Sequence, residues 1–261
     1  MSPSAAPPLA ANIVAQLRNS LYGLDTGRSR HGALPFGLAP IDARLPGGGL
    51  ALGALHEIAG QSDDATYGAA AALFAAGIAA RTKGQVLWCL TRADLFAPAL
   101  AQAGLNPDRV IYFEAGNEKA LLAAFEEGLR YGGLGAVVAE LSQLNLTQSR
   151  RLQLAAETSG AIGLAVRRWN RSESARVFGL PNAATTRWRI GLLPSSPLPV
   201  RGVGRARWRL DLMRCRGGEA AQFDVEACDV QGRLALPAQL VHRPIDQNLM
   251  QRGSEQDRAA S

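Results

Sequence analysis

The order of apolar segments predicts an α/β fold: a mainly parallel, twisted sheet between helices, followed by antiparallel strands. Three observations carry that expectation. From Leu34 to Arg168 short apolar runs alternate with longer helical ones, as successive strand–helix–strand units require. A glycine-rich run, Pro46-Gly47-Gly48-Gly49, leads into an apolar strand that ends Glu57-Ile58-Ala59-Gly60 and meets an alanine-rich helix. Beyond Arg168 the pattern changes to strands of alternating character, TRWRIGL, ARWRLDLMR and QFDVEA, which suit a hairpin turning at Arg216-Gly217-Gly218.

The elements follow in order. Ile13, Leu17, Leu21 and Leu24 recur at helical spacing and predict a short amphipathic helix over Pro8–Leu24. DTGRSRH, Asp25–His31, is a polar linker with turn residues. Strands are expected at Ala54–Ala59, Gln85–Leu90, Val110–Phe113, Ala136–Leu141 and Ile162–Arg168. The helices between them are expected at Thr66–Thr82, Leu95–Ala103, Glu118–Gly128 and Thr147–Ser159, with Asn117 able to cap the third. Trp169–Ala184 is a polar loop without a strong period, and the strands Thr186–Leu192, Ala206–Arg214 and Gln222–Ala227 close the fold. The polar stretch Pro244–Ser261 lacks aromatic residues and is expected to be disordered. The expected organisation is an N-terminal helix and linker (1–32), a core (33–200), an arginine-rich β-hairpin extension (201–243) and a polar tail (244–261).

LGALHEIAGQSDDATY, residues 52–67, is a phosphate-binding loop stripped of its phosphate-binding residues. GxxxxGK[ST] supplies backbone amides and a lysine to the β- and γ-phosphates. Here Gly60 is followed by Gln61, Ser62, Asp63 and Asp64; Ala65 stands for the second glycine, Thr66 for the lysine and Tyr67 for the Mg-binding hydroxyl. Two aspartates lie where the anion would sit, so a triphosphate meets repulsion. No nucleotide, cofactor or metal is expected.

Composition narrows the function further. With 261 residues and 47% hydrophobic content the chain can bury one full-sized core. Cys89, Cys215 and Cys228 form no CxxC or metal pattern, His31, His56 and His242 are too scattered for a metal site or triad, and GxSxG is absent. His56, inside the first core strand, is expected to be structural. No long apolar run and no signal-peptide pattern is present, so a cytoplasmic protein without membrane contact is expected. Charge is uneven: residues 1–165 hold 12 Lys/Arg against 13 Asp/Glu, whereas residues 166–261 hold 16 Arg against 9. That asymmetry points to an electrostatic partner, nucleic acid or an acidic protein face.

LPFGLAPIDARLPGGGLALGALHEIAG resembles the start of a RecA-type recombinase core, a P-loop-NTPase fold, and the order of elements agrees over roughly residues 34–227. More narrowly, the degenerate loop together with RARWRLDLMRCRGGEAAQFDVEACDVQGRLALP resembles the ImuA family of the bacterial inducible-mutagenesis cassette. The resemblance implies a non-catalytic accessory of SOS-induced error-prone translesion DNA synthesis. Its implied partners are an ImuB-like Y-family polymerase homologue, a DnaE-type error-prone polymerase, and RecA with single-stranded DNA. The alternative is a SulA-like inhibitor of cell division that binds FtsZ; such chains are shorter and lack the arginine-rich hairpin. RecA-type enzymes place a catalytic glutamate after the second core strand, where this sequence has Arg92. The acidic residue at the end of the next core strand falls on Glu140, expected to be a solvated or capping group.

The candidate contact residues follow from the same comparison. In recombinases the loop after the strand at Ile162–Arg168 touches single-stranded DNA; here it carries Trp169, Arg171 and Arg176, flanked by Arg167, Arg168, Arg187 and Arg189. Arginines interleaved with tryptophan suit backbone neutralisation and base stacking, although core packing of Trp169 with a solvated arginine rim is the plainer alternative. Trp188 and Trp208 each sit in an R-W-R triplet, so alternation sends both rings to the core and aligns Arg187, Arg189, Arg207 and Arg209 on the opposite face. That row suits an acidic partner unless carboxylates cover it. The stripe Ile13, Leu17, Leu21 and Leu24 is either a self-association surface or a helix folded back on its own domain.

Overall fold

The computed structural model describes residues 30–168, 178–196 and 201–237. The expected N-terminal helix with Ile13, Leu17, Leu21 and Leu24, the expected tail 244–261, and Trp169, Arg171 and Arg176 lie outside them.

Eight strands form one mixed sheet. In chain order its members are β3 (Leu55–Gly60), β4 (Gln85–Leu90), β5 (Val110–Glu114), β6 (Leu134–Leu141), β7 (Ile162–Arg167), β8 (Thr186–Leu193), β9 (Arg207–Cys215) and β10 (Ala221–Glu226). Across the sheet the order is β10-β9-β8-β3-β7-β6-β4-β5. Every pairing from β8 through β5 is parallel, and only β8–β9 and β9–β10 are antiparallel. The arginine-rich hairpin therefore extends the core sheet. A separate two-stranded ribbon pairs β1 (Ala33–Leu34) with β2 (Leu50–Ala51), flanking the short helix α1 (Ala39–Asp42).

Two apolar layers cover the sheet. On one face lies α2 (Ala65–Ala80), whose 16 residues include nine buried ones, with α3 (Ala97–Gln102) beside it. The layer beneath α2 holds an aromatic cluster: Phe74 lies 5.8 Å from Trp188 and 6.4 Å from Trp208, centroid to centroid, and Phe36 stacks on Phe74 at 5.9 Å. Offset and edge arrangements of this kind add to the area term. The other side of α2 is closed by the segment after β10. A Cβ at Gly77 would strike Cys228, and one at Gly104 would strike Gly232, so glycine lets the chain cross at close range. Sheet on one side and this wrap on the other explain a helix that is apolar all round.

The opposite face carries α4 (Glu118–Tyr131) and α5 (Leu146–Ser159), packed over β6, β7 and β4 through Leu121, Phe125, Leu129 and Leu152. Asn117 caps α4 by accepting from Ala120 N, as its sequence position suggests, and Asn145 with Gln148 closes a capping box on α5. Both helices end at a left-handed glycine, Gly132 and Gly160. On this face β8, β9 and β10 present the polar side chains of their alternating pattern, and Arg189, Arg209 and Asp224 reach solvent. No helix among the described residues is long and apolar enough to cross a membrane.

Candidate functional site

The carboxyl ends of β3, β4 and β6 open on a cavity of about 630 Å³, between the first turn of α2 and the starts of α3 and α4. Crevices outside strand ends are where open parallel sheets place their ligands. The degenerate loop forms one wall. Gly60 ends β3 so tightly against the returning chain that an added Cβ would lie 2.7 Å from the Tyr67 carbonyl. Gln61 N then donates to Ile190 O at 2.9 Å, anchoring the loop to β8.

Asp64 decides what this loop accepts. Its carboxylate takes the Thr66 amide at 2.7 Å and caps α2. Hydrogen bonds from the Thr66 hydroxyl and amide hold the Asp64 carboxyl below the usual carboxylate range. A helix N-terminus is an anion site because its first amides lack partners. Here the chain supplies the anion itself. With Asp63 exposed beside it and no lysine at position 66, the residues present do not fit a nucleoside triphosphate.

The opposite wall is built from the loops after β4 and β6. Arg92, exposed in the first of these loops, lines the cavity. Glu140 is buried rather than solvated, because Trp88 Nε1 donates to it at 3.0 Å and Arg168 Nε lies 3.4 Å away. Burial raises its pKa, with Arg168 opposing. Arg168 also grips Asp94, so this arginine of the candidate set is bound between two carboxylates at the cavity wall. Glu118 accepts from the Ser142 and Gln143 amides, each at 2.9 Å, and fixes the loop after β6.

Arg167 and Arg187, expected at a contact surface, lie in the interior. Both turn onto Glu57 in β3: Arg187 Nε is 2.6 Å and Arg167 Nη1 3.3 Å from its carboxylate, and Asn182 donates to it at 2.7 Å. Ion pairing and these hydrogen bonds make burial of three charges tolerable, and they withdraw both arginines from the candidate surface. Arg187 further donates to Leu180 O and lies over the Phe178 ring. The signal available in the sequence was Glu57 itself, a carboxylate inside an apolar strand, LHEIAG.

Alternation sends both tryptophans inward, with Trp188 and Trp208 essentially inaccessible. Two of the arginines across from them are matched from neighbouring strands: Arg189 binds Asp211 at 2.9 Å and Arg209 binds Asp224 at 2.9 Å. Arg207 stands in register with Glu226, but that carboxylate binds Arg205 at 3.4 Å. The half-exposed Arg209–Asp224 pair leaves Asp224 below the ordinary carboxylate range through its hydrogen bond to Arg209.

Over 226 residues the chain is 39% identical to Protein ImuA of Caulobacter vibrioides, in strains NA1000 / CB15N and ATCC 19089 / CIP 103742 / CB 15. The match spans 83% of this chain and 91% of those proteins. The chain belongs to the ImuA family. Among solved structures, the RadB recombinase superposes with a TM-score of 0.54 at 17% identity, over 78% of this chain and all of that one, which establishes a RecA-like core for this ImuA-family protein. SulA from Pseudomonas aeruginosa aligns over 43% of the chain at 24% identity and a TM-score of 0.37, too low to carry an argument. No family model matches.

Proposed function

We propose that this ImuA-family chain is a non-catalytic RecA-like accessory of SOS-induced error-prone translesion synthesis. It acts by joining an ImuB-like Y-family polymerase homologue, and through it a DnaE-type polymerase, with RecA and single-stranded DNA as further contacts. Family membership supports a place in the inducible-mutagenesis cassette. The observation that carries the non-catalytic reading is Asp64, which places a carboxylate on the helix N-terminus that a phosphate would need. Arg92 after β4 and Glu140 buried on Trp88 add to it, since neither is arranged to activate water or share a metal with a loop hydroxyl. A protein without chemistry of its own works through its surfaces.

The adaptor is tested by co-expression with the ImuB-like protein: a complex that survives size-exclusion chromatography is expected, and two separate peaks would end the reading. Calorimetric titration with Mg-ATP tests the second half. No saturable binding is expected at millimolar nucleotide, and Ala65→Gly with Thr66→Lys is expected not to restore hydrolysis while Arg92 remains. Micromolar saturation of the wild-type chain would overturn the reading of the loop.

A further inference from the structure

The cavity that cannot accommodate a triphosphate is still a cavity of about 630 Å³, and its lining has a different preference. Asp63, Asp64, Asp94, Glu118 and Glu140 contribute five carboxylates to it, against Arg92 and Arg168. Arg168 is already held by two of the five. The amide hydrogen bonds that Asp64 and Glu118 accept orient those groups without cancelling their charge. Between the carboxylates the floor is apolar, with Ala72, Leu73 and Leu100, and Phe96 stands at the rim with 67% of its surface exposed.

We propose that this cleft is a docking groove for a cationic, partly apolar segment of a partner protein, in which an arginine or lysine meets Asp63 and Asp94 and a neighbouring aliphatic side chain covers Phe96 and Leu73. The proposal rests on the adaptor reading for its partner and on the cleft alone for its chemistry. Charge complementarity selects the occupant: phosphate backbones and nucleotides are repelled, whereas a basic segment is steered in and retained by contact with the apolar floor. The groove thus turns the ligand preference of a phosphate site from anion to cation while keeping its location. An exposed phenylalanine beside an acid-lined cavity is explained by a ligand that needs both. An apolar side chain of that size costs solvation when left bare.

The probe is a short fluorescein-labelled peptide alternating arginine and leucine, with its glutamate–leucine counterpart as control, read by fluorescence anisotropy on the full chain. The chain carries a formal net charge of +6, so a basic peptide is repelled by the molecule as a whole and binds only where the local field reverses. Binding of the arginine peptide and not the glutamate one is expected at low salt, fading as salt rises. Asp63→Lys and Phe96→Ser, both at exposed positions, should each weaken it by about tenfold, roughly 1.4 kcal/mol, and Tyr131→Ser, exposed at the far end of α4 from the cleft, should leave it unchanged. Unaltered affinity in the Asp63→Lys/Phe96→Ser double variant overturns the proposal. Saturable Mg-ATP binding that the same variant abolishes also overturns it. If the variant alters only the sedimentation of the protein by itself, the occupant is a second copy and the proposal is again wrong. Co-purification with the ImuB-like protein judges the adaptor reading separately: its failure beside intact peptide binding would sink that reading and leave the groove.

Discussion

The two ends of the sheet handle charge in opposite ways. At the β3–β4–β6 end, a nearly neutral half of the sequence gathers five carboxylates around one cavity. At the β8–β9–β10 end, the half with a formal excess of seven arginines disperses charge by pairing Arg189 with Asp211 and Arg209 with Asp224 across strands. Charge counted along a chain is therefore a poor guide to the field at its surface. Spatial grouping and pairing decide where a partner feels attraction. The cavity, with little net charge behind it in sequence, is the more polarised site.

Glu57 joins the two ends, since it sits in β3 and binds arginines from β7 and β8. Breaking it is expected to have the largest effect. Glu57→Gln removes the carboxylate that two buried guanidinium groups share and should cost on the order of 3–5 kcal/mol in chemical denaturation. Replacing all three groups together, as Glu57→Leu/Arg167→Met/Arg187→Met, should recover most of that loss. A single variant as stable as wild type would show that the cluster does not hold the ends together.

The aromatic layer is next. Trp208→Ala removes a ring packed edge-on against Phe74 and should cost about 3–5 kcal/mol if the cavity stays open. Phe96→Ala, at the cleft rim, should leave the unfolding midpoint nearly unmoved. Equal midpoints for the two variants would erase the distinction between a packed end and a ligand-facing one.

A pH titration probes the seam between β3 and β8. His56 is fully buried; its Nε2 donates to Ala51 O at 2.9 Å, and Nδ1 lies 2.7 Å from Thr186 Oγ1, which itself accepts from Trp188 Nε1. Burial pushes its pKa from 6.5 down to about 4, against the smaller opposing pull of the Ala51 bond. The folded state therefore refuses a proton that the unfolded chain takes up below about pH 6.5. Stability should fall as pH drops from 6.5 towards 4, by up to about 3 kcal/mol from this group. The difference between wild type and His56→Gln isolates it. A difference that stays flat across that range would mean His56 is not held neutral.

The sequence makes the strand order's raw material visible because periodicity is local: every main strand and helix of the core lies within a few residues of its expected place. The inward turn of Trp188 and Trp208 is legible for the same reason. Partners across strands are not. That Arg209 meets Asp224 depends on a hairpin register, and that Arg187 turns inward depends on Glu57, some 130 residues earlier. Glu140 illustrates the limit at the site: a carboxylate at a strand end looks solvated until Trp88, 52 residues away, is seen to cover it. Gly77 and Gly104 likewise give no hint of the chain that crosses them.

The smallest expected effect on stability carries the sharpest test of the arginine face. Arg207 and Arg209 stand opposite Glu226 and Asp224, half in solvent, where paired charges contribute little to folding. Arg207→Glu with Arg209→Glu breaks the Arg209–Asp224 ion pair, sets like charges at both cross-strand positions and makes the face acidic. The melting temperature should shift only slightly, because Trp208 between them stays packed. Association with the ImuB-like protein or with single-stranded DNA should weaken, and more at low salt than at high salt, if the face docks an acidic partner or a phosphate backbone. A pull-down across a salt series reads both. Full binding by the charge-reversed chain at every salt concentration would mean that this arginine row is a solvated face and docks no partner, leaving the acidic cleft as the charged candidate to test.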